Sequence, residues 1–281
     1  MYAACRNTLA TAIVLFAVYL VFEFQTLWFR VFPQGFYYSG YAHQGAAWLT
    51  VALALATLIM SLALRGSILQ DPRVRGLKLL AWAWSLENVL LAIAVYHRLH
   101  IYIGFNGMTR MRMVGIYGIS AVLVGFLLVL WKIARNRGLL WLLRRHLWTV
   151  AIAVYLYSLT PVDMIVVRYN ARRILAGDSA PAVQISVHPI SAEGLLYLSP
   201  LMECQDDIVR EGVVAYLADV LDQAEGRASL RSQQGWTSFQ LADQQVLEQL
   251  GSLSDRLAAY EDRGQRAAVL QRFHQYAYQW Y

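Results

Sequence analysis

The chain has 281 residues, 58% of them hydrophobic and only 15% charged, with a formal net charge of +6 and a mean hydropathy of +0.41. A soluble domain carries about 25% charged and roughly 45–50% apolar residues, so the surplus exceeds what one soluble core absorbs. Disorder is excluded too, because it needs low hydrophobicity and high charge. The composition describes an all-α membrane protein with a soluble piece attached.

A bilayer core of about 30 Å takes roughly 20 apolar residues in helix to cross. Five stretches meet that length. Leu9–Phe32 comes first and holds Glu23, Gln25 and Arg30. It is longer than the usual apolar core of a secretory signal and closes on no small-residue cleavage site, so it reads as a retained helix. Gly45–Leu64 carries no charge. Leu79–Leu99 is interrupted by Glu87-Asn88, Met113–Trp131 is again uncharged, and Leu147–Val167 has Pro161 and Asp163 near its end. These spans make residues 1–167 a transmembrane bundle of net charge +10 and leave residues 168–281 as an extramembrane domain of net charge −4. The basic residues therefore sit between apolar runs, where they orient helices in a bilayer. No nucleic-acid partner is expected.

Counting Lys and Arg in the short connections gives ten on the N-terminal side and seven on the other. The excess faces the cytoplasm, which puts the N-terminus inside and the C-terminal domain outside. In that domain Val209, Val213, Tyr216, Leu217 and Val220 share one helical face. Val246, Leu250, Leu253, Leu257 and Tyr260 repeat at 4-3-4-3 spacing, and Leu270, Phe273, Ala277 and Trp280 at 3-4-3. Such stripes form the core of an internal bundle, with coiled-coil pairing to a partner as the sharper alternative. Pro181–Ser191, with Val183, Ile185 and Val187 alternating between prolines, reads as a short extended link. Cys5 and Cys204 fall on opposite sides of the membrane and have no CxxC or metal-ligand spacing.

Ionisable residues in membrane segments warrant a functional hypothesis. Glu23, His97, Arg98, Arg110, Arg112, Asp163 and Arg168 gather toward one side of the bilayer, where acids and arginines either bind an anionic group or pair to hold the bundle. Glu87 and Asn88 lie mid-span, as a neutral acid bonded between helices or as a proton-relay site. Gly118, Ala121 and Gly125 give one helix a small-residue face for close packing. Phosphate-loop, dinucleotide, zincin and serine-hydrolase motifs are absent from the sequence. No cofactor or metal is expected.

The stretch RLHIYIGFNGMTRMR at residues 98–112 resembles a bacterial membrane family known only as domain of unknown function 4153/4173. Arg98, Leu99, Tyr102, Gly107, Thr109 and Arg112 match its pattern, with Met108 in place of the usual Leu. Tyr41, Ala42 and Gly45 upstream match as well, as do Pro161, Asp163, Asn170 and Arg173 downstream, and Trp236 and Ser238 near the end. The family has no established activity, so the resemblance implies topology only. The expectation is an accessory or scaffold subunit that lies in the lipid bilayer and joins other membrane subunits or itself. A transporter or channel component using the intramembrane acids is the alternative, and an envelope- or lipid-modifying enzyme the third reading.

Overall fold

The computed structural model describes residues 2–28, 48, 51, 55, 74–135, 137–231 and 240–280. They are helical without strands. The chain divides into two compact units, Met1–Tyr102 with Val114–Leu159, and Ile103–Met113 with Thr160–Tyr281.

The first unit is built from α1 (Tyr2–Trp28), most of α2 (Val74–Asn106) and of α3 (Arg110–Ala134), and α4 (Leu139–Leu159). All four are long and apolar enough to cross a membrane. Their shared core is Leu9, Leu77, Ala81, Trp84, Phe126, Val129, Ile133 and Leu142, with Phe16 tilted against Trp84 at 4.8 Å between ring centroids. Most of the large apolar side chains of α4 point outward instead, Leu140 being 83% exposed. A soluble helix cannot present that surface to water without aggregating; a lipid-facing one must. The uncharged stretch Gly45–Leu64 lies outside the described residues except Trp48, Val51 and Leu55, which are helical.

The last expected span, Leu147–Val167, is displaced. Its helix runs from Leu139 and stops at Leu159, because Pro161 supplies no amide hydrogen and pushes the residue before it out of helical geometry. Pro161 then stands at the N-cap of α5 (Val162–Leu175). Asp163 thus belongs to a separate helix in the second unit, and the boundary falls at Leu159–Thr160 instead of after Val167.

The second unit continues with α6 (Ala182–Val187), α7 (Ala192–Leu195), a 3-10 turn at Ser199–Glu203, α8 (Asp207–Arg231), α9 (Leu241–Gly251), α10 (Ser254–Leu257) and α11 (Arg263–Ala277). The three sequence stripes turn inward to one core. Val209, Val213, Leu217 and Val220 of α8 meet Val246 and Leu250 of α9, Leu257 of α10, and Phe273 and Ala277 of α11. A Cβ on Gly212 would lie 2.3 Å from the Phe273 ring, so this close approach of α8 and α11 requires glycine. The segment expected to be extended, Pro181–Ser191, instead holds α6. Pro181 begins the helix, where its missing N–H is not needed, and Ala182–Ile185 are buried all round, which removes the distinction between alternating and helical patterns.

Candidate functional site

The sequence motif Asn106-Gly107-Met108-Thr109-Arg110-Met111-Arg112 becomes a turn in which nearly every polar group has an assigned partner. It joins α2 to α3 within the second unit. Gly107 follows the last residue of α2 with φ +94°, and its N–H returns to the Ile103 carbonyl at 3.0 Å. That is a left-handed helix stop, which a side chain disfavours. Here a Cβ would also sit 2.5 Å from Asn170 Oδ1. Two residues on, Thr109 is the N-cap of α3, its hydroxyl accepting the Arg112 N–H at 3.2 Å. The Arg112 side chain then reaches back to donate to the Gly107 carbonyl and to Asn106 Oδ1.

Helices leave their last carbonyls without intrahelical partners. In α2 those carbonyls are taken by side chains from α5 and α6. Arg173 donates to Ile103 O at 2.8 Å and to Gly104 O at 2.7 Å, while Gln184 Nε2 donates to Asn106 O at 2.9 Å. Asp178 pairs with Arg173 and fixes its guanidinium, Nε donating at 2.9 Å. Asn170 clamps the centre of the turn. Its Oδ1 accepts the Met108 N–H at 2.7 Å, and its Nδ2 donates to the Met108 carbonyl at 2.9 Å. This side-chain amide pairs with backbone as a neighbouring strand would.

At the edge of the turn, Arg110 forks onto both oxygens of Asp163, Nε donating to Oδ1 at 2.5 Å. Asp163 also accepts the Ser191 N–H at 2.7 Å. Burial raises the Asp163 carboxyl, but the hydrogen bonds from Arg110 and Ser191 outweigh it and hold the group below the ordinary carboxylate range. His188 is exposed nearby. Partial desolvation first, then the charges of Arg112 and Arg110, keep its imidazole below the usual histidine value. Arg168 is exposed on α5.

The first unit holds the other sequence-marked residues. Glu23 of α1 and Arg98 of α2 form a buried ion pair, Arg98 Nε donating at 3.1 Å, and Tyr19 Oη donates to Glu23 Oε2 at 3.1 Å. His97 is half-buried beside Arg98 in sequence. Glu87 stands three turns away from Arg98, about 16 Å along the helix, so it belongs to a different layer. There Asn88 Nδ2 donates back to the Trp84 carbonyl at 2.7 Å, while Glu87 Oε2, Asn88 Oδ1 and Trp84 Nε1 find no hydrogen-bond partner among the described residues. Of the small residues on α3, Gly125 accommodates the His146 ring of α4 at 3.1 Å from its would-be Cβ, whereas Gly118 is exposed and Ala121 half-buried.

Of the residues grouped from the sequence, Glu23 and Arg98 pair in the first unit, and Arg110, Asp163 and Arg112 belong to the second. Asn106, Asp178, Gln184 and Ser191 escaped sequence reasoning. The Asn106-Gly107 dipeptide is a recognisable helix stop, but nothing in the sequence marks Gln184 as the donor that completes it. Among the described residues no group of His, Cys, Asp and Glu side chains is arranged to hold a metal ion.

Comparison with curated proteins and with solved structures yields no match. The family model described as a domain of unknown function (DUF4153) matches residues 6–199, which include both helices of the capped turn, the turn itself and the α5–α6 segment that caps it. By that match the chain belongs to the DUF4153 family.

Proposed function

We propose that this protein is an accessory or scaffold subunit of a membrane protein complex, with the helical second unit as its interaction domain. The observation that supports this reading is how the matched residues are used. Gly107 and Thr109 stop one helix and start the next, Arg112, Asn170 and Arg173 bond the backbone around that turn, and Asp163 holds Arg110 and the Ser191 amide. Groups committed to backbone carbonyls and amides shape a surface; they do not stand ready for proton transfer or nucleophilic attack. The charge bias of the loops supports an inner-membrane location with the N-terminus in the cytoplasm.

Extraction of the full chain in mild detergent tests the role. Recovery with a partner, or a second copy, at fixed stoichiometry that survives dilution is the expected result. A stable monomer overturns the reading. Reporter fusions at the C-terminus test orientation, and activity confined to the cytoplasm contradicts it.

A transporter component is the second reading, favoured by Glu87 Oε2 and Asn88 Oδ1 on an apolar span. Under it, Glu87→Gln abolishes pH-dependent flux in proteoliposomes without loss of fold.

A further inference from the structure

The basic end of the first unit contains a feature that neither the capped turn nor the buried ion pair uses. The first turns of α2 and the last turns of α3 lie side by side there and leave a groove of ≈ 220 Å³ lined by Lys78, Ala81, Trp82, Leu130, Ile133 and Ala134. Five of those six side chains are apolar, and the sixth is an ammonium. The volume is too small for a whole lipid and suits the glycerol end of one acyl chain. Among the described residues, the helical stretches that begin or end here carry one sign of charge. Residues 74–86 and 127–159 hold seven Lys and Arg side chains and no acid.

Depth agrees. Trp82 is 61% exposed and Trp131 58% exposed, and indoles gather at the boundary between headgroups and acyl chains. The span containing α2 is 32 residues long, about 48 Å of helix against a hydrocarbon core of about 30 Å, so its Lys78 end reaches the headgroup layer. Lys78 is half-buried and lines the groove, and a lysine so placed packs its methylenes against apolar neighbours while its ammonium extends toward the polar layer.

We propose that this groove is a binding site for an anionic phospholipid, its acyl chain against Trp82, Leu130 and Ile133 and its phosphate on Lys78. An apolar slot lined by one cation selects an amphiphile with an anionic head over a zwitterionic one, because only the former leaves net negative charge beside Lys78. A free anion gains the Lys78 contact but nothing from the apolar walls.

The test measures lipid retention by native mass spectrometry on the full chain, exchanged from mixed vesicles of phosphatidylglycerol and phosphatidylcholine with identical acyl chains. Phosphatidylglycerol should be retained about fivefold over phosphatidylcholine. Lys78→Gln should bring the two to parity, and Lys78→Arg should keep the preference. Ala134→Trp fills the groove from an exposed position without touching charge, and should remove the retained lipid even if Lys78→Gln fails to fold. Glycerol phosphate at the same concentration should not compete. Equal retention of both lipids by the unaltered chain, a preference that survives Ala134→Trp, or competition by glycerol phosphate would each overturn the proposal.

Discussion

In the first unit the outward-facing side chains include Leu140, Leu147, Trp148, Val154 and Leu159, while Glu23, Arg98, Asn88 and Lys132 are buried. In the second unit Val209, Val213, Leu217 and Phe273 are inside, and Arg168, Glu193 and Glu261 are outside, although Arg112, Asp163 and Asn170 are buried there as well. Both are helical bundles with aliphatic cores, so secondary structure does not distinguish them. The solvent does. Lipid removes the hydrophobic penalty for exposing leucine and water restores it, while a buried polar group needs a partner in either setting.

The largest expected effect breaks the polar interior of the membrane unit. Arg98→Ala leaves Glu23 buried without its ion-pair partner and should cost about 3–5 kcal/mol. Thermal unfolding in detergent should show this, with Arg98→Ala/Glu23→Gln recovering part of the loss. Next, Leu217→Ala in the second unit should cost about 2–5 kcal/mol through the cavity it opens, whereas Leu140→Ala on the lipid face should stay within about 0.5 kcal/mol. Equal costs for the two leucines would break the comparison. Asn170→Ala strands the buried N–H and carbonyl of Met108 and should destabilise by at least about 2 kcal/mol, from about 1–3 kcal/mol for each of the two unsatisfied groups.

The smallest effect is the pH dependence of the Arg110–Asp163 contact. Because the folded carboxyl titrates below its unfolded value near 3.9, its contribution is complete above that value and is lost as pH falls through the folded one. Arg110 is half-exposed, so solvent screens the pair and keeps the effect small. Asp163→Asn should flatten this part of an acid-denaturation curve. His188 acts in the same direction at higher pH. Its folded value is lowered, so the unfolded chain takes up its proton first and stability declines as pH drops below about 6.5. His188→Gln should remove that slope.

Much of this fold was legible in the sequence, for identifiable reasons. Apolar runs as long as Met113–Trp131 have few soluble uses, and the stripes at Val209–Val220 and Val246–Tyr260 sit on faces that the second unit does bury. The break at Pro161 was visible as a residue, but hydropathy averaged across it and carried the span on to Val167. Alternation at Val183, Ile185 and Val187 misled because those positions lie in a segment buried mostly on both sides. Of the acids and arginines that stand out in the sequence, Glu23 pairs with Arg98 and Asp163 with Arg110. Which partner each takes depends on tertiary approach: Arg98 and Glu23 are 75 positions apart, and Arg110 and Asp163 are 53. Gln184 donates across 78 positions to a carbonyl, and a backbone acceptor leaves no trace in sequence.

The central claim is that the Gly107–Arg112 turn is locked by side chains from α5 and α6. Hydrogen–deuterium exchange across Ile103–Met113, in the unaltered chain and in Asn170→Ala, tests it most directly. The account predicts strong protection of the Met108 and Gly107 amides in the former and its loss in the latter, with α4 unchanged in both. Rapid exchange of Met108 in the unaltered chain, or protection indifferent to Asn170, would contradict it.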